Sequence, residues 1–237
     1  MKIHRFYVGD IADRHGRLEL TEKLWINYPE LAAQMLRVLR LHQGEHIVLF
    51  DGKGTERMYE IREVEKEALF LVHTTDMVPM SPGRKLHLAW SLLKRDNNEL
   101  IIQKATELGV RVLLPFVSDR TIKTGFDVSR MRRMAIEAVE QSGRHFLPDI
   151  HEPQSMEQLI DEYKQSMPVM VADMNGTPLT DMHTLDKGIL VLIGPEGGWS
   201  DEERTFFEDS QLSNIRLSDS VLRAETAAIT AAALLAG

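Results

Sequence analysis

The chain has 237 residues, 27% charged and 43% hydrophobic, with a formal net charge of −8. That length gives one large or two small domains, and the near-average composition excludes a disordered or fibrous protein. The absence of cysteine excludes disulfide frameworks, cysteine zinc sites, iron–sulfur clusters and thiol nucleophiles, and it fits a reducing compartment.

The first residues, Met1 to Arg5, lead into no apolar run of signal-peptide length, and later apolar runs such as Ile189–Ile193 are far too short to span a bilayer. A soluble cytoplasmic protein without membrane contact is expected. Residues 1–73 read as short β segments: Phe6–Val8, His46–Phe50, Arg57–Ile61 and Ala68–His73. Asp51–Gly52–Lys53–Gly54 closes the second of these as a turn. Between them, Pro29–Leu41 has helical spacing, with Leu31, Met35, Val38 and Leu39 on one face. A strand-rich stretch of this size predicts a small barrel. Met77–Gly83 contains two prolines and a glycine, so residues 74–84 are read as a linker.

From residue 85 to 237 strands alternate with helices. Leu86–Leu92, Val110–Phe116, Val169–Ala172, Ile189–Ile193 and Ile215–Leu217 read as strands; Asn98–Leu108, Ser129–Ser142, Thr205–Ser210 and Glu225–Leu235 read as helices. Gly109 stops the first of the helices. Ile189–Ile193 lacks polar alternation, which predicts a strand buried on both faces, as in a parallel sheet. The alternation predicts an α/β domain over residues 85–237.

Charge is uneven. Residues 1–73 carry a net −1, residues 84–144 a net +5 and residues 145–237 a net −11. A positive middle beside an acidic end can still create a local positive field for an anionic partner.

The most informative stretch is Gly194–Pro195–Glu196–Gly197–Gly198–Trp199–Ser200, followed by Asp201–Glu202–Glu203. It follows the buried strand and opens a helix, where ligands of parallel α/β sheets bind. Ser200 and Glu203 have capping-box spacing. No GxxxxGK[ST] or GxGxxG motif occurs, and the carboxylates oppose a polyphosphate, so the loop suits a neutral or cationic ligand. S-adenosylmethionine, a phosphate-free sulfonium, has that character. A second stretch, Leu217–Ser218–Asp219–Ser220–Val221–Leu222–Arg223–Ala224–Glu225–Thr226, carries a polar loop into the last helix. An arginine at such a junction can orient a carbonyl or oxyanion. Trp90 and Trp199 could stack on a base, though packing is the commoner role of tryptophan.

Together these stretches resemble the bacterial 16S ribosomal RNA uridine-N3 methyltransferase family (RsmE-type). The likeness covers nearly the whole chain and includes His4–Arg5–Phe6, Arg37–Val38–Leu39–Arg40–Leu41, Gln103–Val110, Arg120, Arg144, Gly194–Gly198 and Leu222–Ala227. It departs at Leu217–Ser218–Asp219, where the family pattern has Leu–Gly, and at Lys94–Arg95–Asp96–Asn97. The resemblance implies a PUA-like β-barrel over residues 1–73 and a SPOUT α/β domain with a C-terminal trefoil knot. It also implies S-adenosylmethionine as cofactor, a homodimer, and 16S ribosomal RNA in the small subunit as partner.

By the same likeness, Gly194, Glu196, Gly197 and Gly198 form one cofactor wall, and Leu217, Val221 and Leu222 another. The loop after Val169–Ala172 closes the third side, although Asp173–Met174–Asn175 matches no motif. Arg223 is expected to stabilise charge on a uracil carbonyl. Glu225 could orient Arg223, and Glu196 could favour the sulfonium; a carboxylate or solvent takes the N3 proton. No metal is needed for this transfer. Because N3 lies on the Watson–Crick edge, the target base must be unpaired. Candidate RNA contacts are Arg5, Arg37 and Arg40 from the barrel, with Lys94, Arg95, Lys104, Arg120 and Arg144 from the positive middle. A SPOUT enzyme acting on another base or ribose, and a non-catalytic RNA-binding relative, are the competing readings.

Overall fold

The computed structural model describes residues 3–13, 16–78, 85–122, 125–179 and 188–236. The chain divides into two compact units: Met1–Ser81 with Val139–Leu147, and Pro82–Ala138 with Pro148–Gly237. Part of the expected linker, residues 79–84, lies outside the described residues.

In the first unit, β1 (His4–Tyr7), β2 (Ala12–Asp13), β3 (Gly16–Arg17) and β4 (Lys23–Ile26) precede a short helix, α1 (Pro29–Ala33). Then come β5 (His46–Phe50), β6 (Glu56–Val64) and β7 (Leu69–Asp76). Five of these strands form one sheet in the order β1-β5-β6-β7-β4; β1 runs parallel to β5 and the other neighbours are antiparallel. The sheet buries Phe6, Ile26, Ile47, Tyr59 and Leu71 with Met35. In β4, Leu24 and Ile26 point inward while Lys23 and Trp25 point out, the period of two of a half-buried strand. β7 continues to Asp76, so residues 74–76 are strand rather than linker.

The expected helix over 29–41 is broken in two. α1 passes into a π-turn, Gln34–Val38, in which the Leu39 N–H donates to the Gln34 carbonyl at 2.9 Å. The extra residue rotates the apolar face: Leu31 and Met35 are buried, but Val38 points to solvent at 73% exposure. Arg40 ends the turn at φ 55°.

The first unit contains a buried charge cluster. The Glu56 carboxylate is fully buried and pairs with the Arg5 guanidinium and the His145 ring. Burial pushes the Glu56 carboxyl up, while Arg5 and then His145 pull it back. Arg5 also lies over the Phe50 ring at 5.0 Å and donates to the Arg144 carbonyl at 2.8 Å.

The second unit begins with β8 (Leu86–Ser91), α2 (Arg95–Leu108), β9 (Val112–Val117) and α3 (Val128–Ser142), whose end falls in the first unit's 139–147 segment. Next are β10 (Asp149–Ile150), β11 (Gln154–Ser155), α4 (Met156–Tyr163) and β12 (Val169–Pro178). The chain closes with β13 (Ile189–Ile193), α5 (Asp201–Asp209), β14 (Ser213–Arg216) and α6 (Ala224–Leu235). The sheet is parallel, in the order β10-β9-β8-β13-β12-β14, with β11 also on β9. β13 lies between β8 and β12 with all five residues buried, as its unbroken apolar run predicts. β12 is longer than expected because a register shift between Ala172 and Thr177 lets it pair β14 twice. α6 packs on α2 and β8, burying Ala228, Ala231 and Ala232. The small side chains allow that close approach.

Candidate functional site

Parallel strands end together, so the loops after β12 and β13 and the segment before α6 meet at the carboxyl edge of the sheet. They enclose a cavity of about 450 Å³, reached by Ala172 and Asp173 from β12, Gly194 and Glu196 from the loop after β13, and Leu222 and Arg223 from the last loop. A smaller pocket of about 100 Å³ adjoins it, sharing Val221 and Leu222 and adding Leu217.

The loop after β13 is shaped by its neighbours. A Cβ on Gly194 would come within 2.9 Å of the Trp199 ring, so only glycine lets the backbone serve as a wall there. Gly198 has φ +66°, which also favours glycine. Trp199 is buried: its ring stacks on Phe116 at 6.2 Å and meets Phe207 edge-on at 5.0 Å, and its indole N–H donates to the Ala172 carbonyl at 3.2 Å. It links the ends of β12 and β13. Trp90 is likewise buried and donates to Asn98 Oδ1 at 2.9 Å. Both tryptophans are packing residues rather than exposed platforms.

The capping box forms as its spacing predicts. Ser200 Oγ accepts the Glu203 N–H at 3.1 Å, and Glu203 Oε2 accepts the Ser200 N–H at 2.7 Å. Three acidic residues in the first turn of α5 complement the positive end of its dipole.

Gly194, Glu196, Gly198, Val221, Leu222 and Arg223 line the cavity. Gly197 turns its carbonyl to Arg120 instead, and Leu217 lines only the adjoining pocket. Arg223 is the N-cap residue of α6 and is exposed, and its guanidinium has no partner among the described residues. Glu225, in the first turn of α6, does not line the cavity; it accepts from Asn97 Nδ2 at 3.4 Å rather than from Arg223.

Several candidate RNA contacts are engaged inside the molecule. Arg5 is turned onto buried Glu56, Arg95 pairs with Glu99 at 3.1 Å, Lys104 pairs with Glu107 at 2.9 Å and Arg37 pairs with Glu67 at 3.3 Å. Arg40 and Lys94 are exposed with no side-chain partner among the described residues. Arg144 is half-buried in the 139–147 segment of the first unit.

The sequence reading missed one ion pair at the cavity. Arg204 of α5 reaches Asp173 Oδ2 at 2.6 Å, while Asp173 Oδ1 accepts the Asn175 N–H at 2.8 Å. Asp173 therefore fixes the third wall of the cavity. Its signal was weak, because its partner stands 31 residues away.

The chain matches the RNA methyltransferase domain family over residues 79–236 and the RNA methyltransferase PUA domain family over residues 35–72. It is 27% identical to a Rickettsia conorii protein named ribosomal RNA small subunit methyltransferase E, covering 98% of this chain and 95% of that one. A Bacillus subtilis protein of the same name is 28% identical over 83% of each chain. Among solved structures, a Neisseria gonorrhoeae ribosomal RNA small subunit methyltransferase E bound to S-adenosylmethionine superposes with a TM-score of 0.87 at 26% identity, covering 98% of this chain and 96% of that one. A Legionella pneumophila methyltransferase with the same bound cofactor gives 0.83 at 28% identity, over 99% and 97%. With its strands, glycine loop and terminal arginine in this arrangement, the chain belongs to the ribosomal RNA small subunit methyltransferase E family of RNA methyltransferases.

Proposed function

We propose that the protein transfers a methyl group from S-adenosylmethionine to N3 of a specific uridine in 16S ribosomal RNA of the small subunit. The observation that carries this reading is Arg223, without a side-chain partner among the described residues, at a cavity walled by the Gly194–Gly198 loop. The residues fit the cofactor. The volume lies in the ~300–1,000 Å³ range of small-molecule sites. Ile193, Leu222 and Ala227 offer apolar surface for a purine, and Glu196 offers negative charge for a cation. Arg204 is neutralised by Asp173, which leaves Arg223 as the one unmatched cation lining the cavity among the described residues, too little positive charge to mark a polyphosphate site. When bound, S-adenosylmethionine supplies a methyl group already activated by its sulfonium.

The chain's residues must then favour the uracil anion, because neutral N3 holds a proton and is a poor nucleophile. Arg223 is placed to stabilise negative charge on a ring carbonyl. Glu196 stands at the same cavity and is the better placed of the two carboxylates to attract the sulfonium or accept the N3 proton; Glu225 supports α6 through Asn97. Gly194, Glu196, Gly198, Val221 and Leu222 hold the cofactor, with Leu217 and Gly197 behind them.

The remaining parts of the reading are a PUA-like barrel in the first unit, a trefoil knot in the second, a cytoplasmic location and a homodimer. The dimer is supported by Leu100 on α2 and Leu234 on α6, apolar residues exposed at 37% and 52% on two helices that pack together. No helix among the described residues is long and apolar enough to cross a membrane.

The test incubates the protein and labelled S-adenosylmethionine with small subunits from a strain lacking the modification, then maps the labelled nucleotide. Label on N3 of one uridine in 16S RNA is the expected result. Label on a ribose or another base would replace the substrate assignment, and binding without transfer would remove the enzymatic one.

A further inference from the structure

The segment Ser118–Thr121 after β9 forms a tight corner. The Ser118 N–H donates to Thr121 Oγ1 at 2.8 Å. The hydroxyls of Ser118 and Thr121 lie 2.9 Å apart, and Ser91, the last residue of β8, adds its own at 2.9 and 2.7 Å. Ser91 and Ser118 are buried, so the corner is tied to the ends of two central strands.

Two residues of this rigid corner reach the cofactor loop. Ser200 Oγ donates to Asp119 Oδ2 at 2.5 Å, and the Asp119 N–H donates to Glu203 Oε1 at 3.1 Å. These contacts fix the start of α5. Arg120 Nη1 donates to the Gly197 carbonyl at 2.8 Å, and its stem lies 3.3 Å from where a Gly197 Cβ would stand. The loop's own backbone supplies one hydrogen bond among the described residues, Gly198 N–H to the Pro195 carbonyl at 3.0 Å. Trp199 anchors the end of the loop in the core, and Arg120 is the side chain that holds the Gly197 carbonyl ahead of it. A planar guanidinium holds a carbonyl in a fixed direction better than a flexible ammonium does.

We propose that Arg120 is a positioning residue for the cofactor site: it holds the Gly197 carbonyl outward, so that Glu196 and Gly198 keep the cavity in its binding shape. The role rests on the methyltransferase reading above. It assigns Arg120 to the cofactor loop and not to RNA phosphate.

The experiment measures S-adenosylmethionine binding by titration calorimetry, and small-subunit binding in the absence of cofactor, for the wild type, Arg120→Ala and Arg120→Lys. Arg120 is exposed, so both variants should fold, and equal thermal midpoints check this. Arg120→Ala should weaken cofactor binding about tenfold and raise its KM in proportion, with kcat at saturating cofactor within roughly twofold. Arg120→Lys, which keeps one donor, should recover part of the loss, and subunit affinity should not move. Unchanged cofactor affinity in Arg120→Ala, or an equal or larger loss of subunit affinity, would overturn the proposal. Failure of the wild type to bind the cofactor would instead overturn the methyltransferase reading.

Discussion

Arg223 and His87 show how environment sets the role of a single side chain. Arg223 lines the cavity and its side chain has no partner among the described residues, which leaves its donors to a substrate. If it stabilises charge that develops only in the transition state, Arg223→Ala should abolish turnover while cofactor affinity stays within about tenfold, or 1.4 kcal/mol. Single-turnover kinetics and calorimetry separate the two effects, and lost cofactor affinity with intact chemistry would make Arg223 a binding residue. His87 on β8 illustrates the opposite case. Burial lowers its pKa, and the nearby His151 and Lys85 lower it further; its ring meets Tyr163 edge-on at 5.3 Å. The folded protein therefore holds the ring neutral at a pH where the unfolded chain, near 6.5, begins to take up a proton. The stability so gained is full above about pH 6.5 and is lost as pH falls through the depressed folded value. The thermal midpoint should drop on going from neutral to mildly acidic pH, and less so in His87→Phe, which keeps the ring contact. Equal drops in calorimetry would show that other groups carry the acid sensitivity.

At the scale of elements, the two capping boxes make a direct comparison. Ser155 caps α4 in an exposed setting, with its two reciprocal bonds at 3.2 and 3.4 Å. Ser200 caps α5 while buried, and its hydroxyl also donates to Asp119. Ser155→Ala should cost about 0.5–1 kcal/mol and Ser200→Ala about 1–2 kcal/mol, because the second change leaves the buried Glu203 N–H unmet and also removes the bond to the Asp119 carboxylate. Urea unfolding without cofactor reads both, and the reverse order would mean that the Asp119 contact contributes nothing. The Ser200–Glu203 box is legible in sequence because it depends on residues three positions apart beside a marked glycine loop, whereas the Ser155–Gln158 box, with the same spacing but no such flank, was missed with its helix. The all-apolar β13 was legible as well, since its burial is written in consecutive residues. β4 was missed because a four-residue alternation is too short to stand out, and the π-turn after α1 because no residue type announces an inserted position. Arg120 on Gly197 and Arg204 on Asp173 join positions 77 and 31 residues apart, and only the folded sheet brings them together.

At the scale of the whole molecule, a net charge of −8 must be reconciled with a polyanionic partner. The acidic excess lies in residues 145–237, whereas residues 84–144 carry a net +5. The structure narrows the resource further. Of the eight cations expected to meet RNA, Arg5, Arg37, Arg95 and Lys104 are matched to carboxylates and Arg120 to a carbonyl. Arg144 is half-buried, Arg40 and Lys94 are exposed with no side-chain partner among the described residues, and Arg223, outside these eight, stands at the cavity. With about three phosphates neutralised, the slope of log affinity against log salt on a single-stranded target should be near −2, from roughly −0.7 per phosphate. Recognition would then depend on the shape of the assembled subunit and on an unpaired base more than on bulk charge. Filter binding across a salt series measures the slope directly. A value near −5 or steeper would require the internally paired cations to leave their carboxylates for phosphate on binding. Arg37→Ala and Arg95→Ala would then each reduce the slope, whereas with the pairs intact they should leave it unchanged.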